Sequence, residues 1–154
     1  MLRNGRPIAE IQPVTRATPS WKQRAARPLA IRGAEIGRLI LEDRERASEL
    51  ALSVIAVPEL ISAFCRLRRE RRLTPAQYAR IKGDLLADIA DALICDTTPQ
   101  VIQRAVRALE AGPLRGMGAI HVGAATVFGA EVFVSADIRR CAAAKAAGLR
   151  AVRV

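Results

Sequence analysis

The chain has 154 residues, 51% of them apolar and only 3% aromatic, and its 25 lysines and arginines against 15 acids leave a net charge of +10. That is ample material for one domain, or a domain with an appendage, built on an aliphatic core, and the charge points to an acidic partner, nucleic acid foremost; a surplus of arginine in an Ala- and Arg-rich chain can also reflect genomic composition. No apolar run approaches the roughly 20 residues that cross a bilayer, and no signal-peptide apolar region opens the chain, so the sequence implies a soluble, cytoplasmic protein with no membrane contact.

In chain order, Asn4-Gly5 is a turn signal, and residues 7–11 read as the second half of a β-hairpin whose first half is missing. Residues 16–30 mix Pro, Ser, Lys, Gln and Arg around Trp21 and read as an extended linker, with Trp21 either docked on the main body or exposed. Over 33–46, Ile36, Leu39 and Ile40 share a helical face, and the composition changes after residue 46. A strand is expected over 50–56 and a helix over about 57–72, with Pro58 in its first turn. Thr74-Pro75 and Thr98-Pro99 are N-cap and proline pairs that open two further helices, the second closed by Gly112, with a strand over 91–96 between them.

The stretch from 113 to 137 organises the rest. Ile120, Ala124, Val127 and Phe128 fall at helical spacing, Gly129 closes that helix, and Val132-Phe133-Val134 form a short buried-type strand that stops at Asp137. A helix over 138–147, a cap at Gly148 and a strand over 149–154 complete the chain. Strands alternating with helices over 47–154 predict an α/β fold with a mostly parallel sheet.

Candidate chemistry concentrates on two carboxylates. Glu59 opens a helix after a strand and Asp137 ends one, and ligands of α/β sheets gather outside the carboxyl ends of strands. The plainer roles are a first-turn acid for Glu59 and an N-cap for Asp137. The RLRRERR segment, carrying Arg68, Arg69, Arg71 and Arg72, is either a solvated helix end or a patch that contacts RNA phosphates. His121 lies one turn beyond Gly118, and a lone histidine reads as a satisfied core or supporting group. Cys65, Cys95 and Cys141 are far apart without CxxC spacing and read as reduced thiols. No Walker loop, GxGxxG or Ser/His/Asp set occurs.

The segments SVIAVPELISAFCRLRRERRLTPAQYARI, LICDTTPQVIQRAVRAL, LRGMGAIHVGAATVFGAEVFVSAD and AAGLRAV, in this order, resemble the PIN domain of VapC-type toxins over residues 48–154. The resemblance implies a three-layer α/β/α fold over 47–154 and a Mg²⁺- or Mn²⁺-dependent endoribonuclease of a type II toxin-antitoxin system, with Glu59 and Asp137 as metal-binding and catalytic acids. Where the family pattern LRGxDAxH has Asp, this chain has Gly118, and the family's first strand with its Asp is missing or replaced. Two acids alone hold hard divalent cations poorly, so impaired cleavage is expected.

At the front, RNGRPIAEIQPV resembles the last strands of a Phd/YefM-type antitoxin, and SWKQ with RPLAIRGAEIGRLILEDRE resembles its toxin-wrapping tail, which makes 1–46 an antitoxin-like segment. The alternative register reads residues 28–46 as a decayed first PIN strand and helix, with Arg32 in place of the missing Asp. In either register an arginine, Arg32 or Arg38, is expected to reach Glu59 and Asp137 in place of a metal. The implied partners are RNA, a cognate antitoxin or intact toxin chain, and a second copy in a homodimer. The alternative function is a non-catalytic module that binds RNA or pairs with toxin or antitoxin, self-capped by its N-terminal segment.

Overall fold

The computed structural model describes residues 2–3, 6–7, 47 and 49–154. The expectations for the 16–30 linker, Trp21, the 33–46 helix, Arg32 and Arg38 lie outside the described residues. At the front, β1 (Leu2–Arg3) pairs antiparallel with β2 (Arg6–Pro7), in the register Leu2↔Pro7 and Arg3↔Arg6. The first half of the hairpin is therefore present, two residues long, and the expectation that it is missing is corrected.

From residue 51 onward successive strands are separated by one or two helices. The elements are β3 (Ala51–Ser53), α1 (Ala56–Arg69), α2 (Pro75–Ala90), β4 (Leu93–Cys95), α3 (Pro99–Ala111), α4 (Gly116–Val127), β5 (Val132–Ser135), α5 (Ile138–Ala146) and β6 (Arg150–Arg153). Strand β3 is shorter than the expected 50–56. The Val54 N–H makes a last sheet-like bond to the Cys95 carbonyl at 2.9 Å, and the chain then turns into α1, whose proline at 58 occupies a first-turn site where no helical N–H is required.

The fold is α/β with short parallel strands. β3 pairs parallel with β4 and β5 pairs parallel with β6, each across the helical connection that a parallel pair requires. Among the described residues these are two separate pairs, not the one central sheet expected from the sequence. No helix among the described residues is long and apolar enough to cross a membrane.

The helix boundaries follow local chemistry. Thr74 and Gln77 form a reciprocal capping box at the start of α2, with contacts of 2.9 and 3.2 Å, and Thr98 Oγ1 accepts from the Val101 N–H at 3.3 Å to start α3. Helices α1, α4 and α5 end in the same six-residue hydrogen-bonded turn, which needs a left-handed residue just past the helix. Gly129 (φ 67°) and Gly148 (φ 87°) serve for α4 and α5; at α1 the position is Arg71 (φ 57°), with Arg72 N–H on the Leu67 carbonyl at 2.9 Å.

The core is made of small side chains because helices approach closely. Ala105 and Ala108 of α3, Ala119 and Val122 of α4 and Ala144 of α5 form one buried cluster, and Phe133, Leu149 and Ala151 pack against it from the strand side. At Gly123 a β-carbon would stand 2.6 Å from the Val101 carbonyl oxygen and 2.9 Å from the Ala105 nitrogen. Only glycine lets the backbones of α3 and α4 come this near. That contact fixes α4, and α4 carries Gly118 and His121 toward the site.

Candidate functional site

Glu59 sits in the first turn of α1, just after β3, and Asp137 sits just after β5 as the N-cap of α5. Glu59, Gly118 and Asp137 line one cavity of about 290 Å³, together with Leu114, Arg115, Met117, Arg139 and Arg140. The three positions that the toxin-like pattern makes acidic thus come from three different helices into one pocket.

Neither carboxylate is idle. Arg140 Nη2 of α5 donates to Glu59 Oε1 at 3.1 Å and to Oε2 at 3.3 Å, and His121 Nε2 of α4 lies 2.8 Å from Oε2. A carboxylate only accepts, so the imidazole nitrogen is the donor. With the Glu59 side chain 30% exposed, burial works to raise its pKa. The hydrogen bond and charge of His121, then the charge and hydrogen bond of Arg140, outweigh it and hold the carboxyl below its ordinary value. Asp137 Oδ1 accepts from the Arg139 backbone N–H at 2.8 Å and faces the Arg139 guanidinium at 3.6 Å. That backbone bond, foremost, keeps the Asp137 carboxyl below its ordinary value against a smaller opposing effect of burial.

These residues do not fit the divalent metal that the resemblance implies. Both oxygens of Glu59 are engaged by a guanidinium and an imidazole, Asp137 spends an oxygen on its helix cap, and Gly118 supplies no ligand. Among the described residues no group of three or more His, Cys, Asp and Glu side chains comes together as a metal site. A hard cation prefers six or more oxygen ligands, and here one of the two carboxylates is already paired with a guanidinium. A β-carbon at Gly118 would lie 2.8 Å from Leu114 Cδ2 and 3.4 Å from Arg140 Nε, so an aspartate there would also adjoin Arg140.

Arg32 and Arg38, the arginines expected to reach Glu59 and Asp137, lie outside the described residues, so that expectation is untested; among the described residues the guanidinium on Glu59 is that of Arg140. Sequence reading missed Arg140, and it left His121 without the partner that Glu59 provides. The signal was available only as the arginine pair that follows Asp137 in SADIRR. Arg68, Arg69, Arg71 and Arg72 do not join the pocket. They stand at the other end of α1, about 15 Å along the helix from Glu59 at 1.5 Å per residue. There Arg68 lies 5.5 Å over the Tyr78 ring, while Arg66 and Arg72 flank Glu70 at 3.9 and 3.6 Å, a solvated helix end with its own local partners.

The three cysteines are unpaired; Cys95 and Cys141 are buried, and Cys65 Sγ contacts the Tyr78 hydroxyl at 3.7 Å. Comparison with protein-family models, characterised proteins and solved structures finds no match to this chain.

Proposed function

We propose that this chain is a VapC-like PIN-domain protein of a type II toxin-antitoxin system, in which metal-dependent RNA cleavage is lost and RNA binding is retained. The observation that carries the reading is the meeting of Glu59, Gly118 and Asp137 in one pocket at the carboxyl ends of β3 and β5. Under this reading the domain is a three-layer α/β/α fold whose first strand is missing or replaced, and the parallel pairs β3 with β4 and β5 with β6 are parts of its sheet.

The non-catalytic half of the reading is supported by Arg140. A ribonuclease of this type uses its acids to hold Mg²⁺ or Mn²⁺ at the scissile phosphate; here Glu59 is paired with a guanidinium that stays charged, and a cation would have to displace it to bind the carboxylate. The fold then serves as a binding module in the cytoplasm, for RNA and for a cognate antitoxin or intact toxin chain, and as a homodimer by family habit.

The test is incubation of the purified chain with single-stranded RNA and Mg²⁺ or Mn²⁺. The expected outcome is no cleavage above a metal-free control. Robust turnover that disappears in Glu59→Gln would overturn the proposal.

A further inference from the structure

We infer that the cavity between the starts of α1, α4 and α5 binds a phosphate group directly, through Arg115, Arg139 and Arg140, with no metal ion between. That the phosphate belongs to RNA rests on the function proposed above; that the ligand is a phosphate rests on the cavity alone.

The residues that line the cavity include three arginines and two acids. Both carboxylates are already spoken for: Glu59 by Arg140 and His121, Asp137 by the Arg139 backbone N–H and guanidinium. Three cations against two anions leave one positive charge over. It resides on Arg115, whose side chain has no ion-pair or hydrogen-bond partner among the described residues. Arg140 spends only Nη2 on Glu59, and Arg139 presents Nε to Asp137, so each keeps further N–H donors of its planar fork.

An anion with several acceptor oxygens matches this wall. Guanidinium groups favour phosphate because two parallel N–H groups meet two oxygens, and the non-bridging oxygens of a phosphate each accept more than one such N–H, so neighbouring arginines can share them. Arg115 supplies no side-chain cap to α4, so Met117 and Gly118 of its uncapped first turn add a wall of positive partial charge. The absence of a side chain at Gly118 keeps that wall open; an acid there would face the anion with like charge. Glu59 then acts as a strut that fixes Arg140, not as a ligand of the reacting centre.

The test has two arms, both in EDTA. In the first, a 3′-labelled single-stranded RNA is titrated and anisotropy followed for the wild-type chain, Arg115→Ala, Arg115→Lys and, as the comparison, Arg68→Ala/Arg69→Ala. The expected result is a loss of about tenfold in affinity and about one unit of salt slope for Arg115→Ala, partial recovery in Arg115→Lys, and a smaller change for the distant pair. In the second, inorganic phosphate is titrated into the wild-type chain and the amide signals of Met117 and Gly118 are followed by NMR; saturable shifts are expected. Saturable phosphate shifts without RNA binding would uphold the phosphate site and contradict the RNA-binding function. RNA affinity lost only in the Arg68→Ala/Arg69→Ala variant, or no shift of Met117 and Gly118 with phosphate, would overturn the inference.

Discussion

At its first turn α1 holds Glu59 between a guanidinium and an imidazole contributed by two other helices, with 30% of the carboxylate side chain exposed; at its last turn it holds Glu70 between Arg66 and Arg72, side chains 67 and 70% exposed. The pairs are chemically alike and physically different. At the first turn the partners are fixed by packing of α4 and α5 and are partly withdrawn from water, so Coulomb attraction acts through a lower dielectric. At the last turn all three groups belong to one stretch of chain and are screened by solvent and salt. The contrast separates a charge cluster that shapes a pocket from one that decorates a helix end.

The largest effect on this contrast should come from a residue that touches no charge. Gly123→Ala pushes a methyl group against the backbone of Val101 and Ala105, which cannot move aside as a flexible side chain would. Destabilisation of about 3 kcal/mol is expected from such overpacking. Thermal or urea denaturation would measure it, and a loss under 1 kcal/mol would mean that α3 and α4 can part cheaply.

Arg140→Ala comes next. It leaves a partly buried carboxylate with His121 alone, at a cost of about 1–2 kcal/mol, limited by the exposure of both groups. The pH dependence gives a sharper readout. Because the Glu59 carboxyl is held below its ordinary 4.5 in the folded chain, its contribution is fully present above that pH and lost as the pH falls through the lower folded value. Acid unfolding of Arg140→Ala should therefore lose part of this slope below pH 4.5. An unchanged acid limb would show that Arg140 does not hold the carboxylate.

At the other end of the helix the effects should be small and one should be favourable. Arg71 occupies the left-handed position that Gly129 and Gly148 fill in α4 and α5. Arg71→Gly should stabilise the chain by about 1 kcal/mol, since a non-glycine residue pays for that conformation. Arg72→Ala should move stability by no more than about 0.5 kcal/mol, as for exposed pairs in general. If Arg72→Ala cost as much as Arg140→Ala, the distinction between the two ends would fail.

What could be read from the sequence follows the range of the forces involved. Thr74-Pro75, Thr98-Pro99, Gly129 and Gly148 are local signals, and each stands where a helix starts or ends. Asp137 was legible both as a cap and as a residue at the carboxyl end of a strand, and it is both. Strand length was less legible: 50–56 reads as one apolar run, but the turn at Val54 and Ile55 divides it between β3 and α1. The pairing of Glu59 with Arg140 could not be read at all, because 81 residues separate them and many arginines compete for the role in this chain. The division of the strands into two pairs was hidden for the same reason, since periodicity says which face a strand buries and not which neighbour it takes.

The central claim is that Arg140 and His121 stand where a divalent cation would have to bind. Calorimetric titration of Mn²⁺ into the wild-type chain and into Gly118→Asp/Arg140→Ala tests it most directly. The predicted result is no saturable heat with the wild type and measurable binding once an acid is added and the arginine removed. Stoichiometric Mn²⁺ binding by the wild-type chain, abolished in Glu59→Gln, would contradict it.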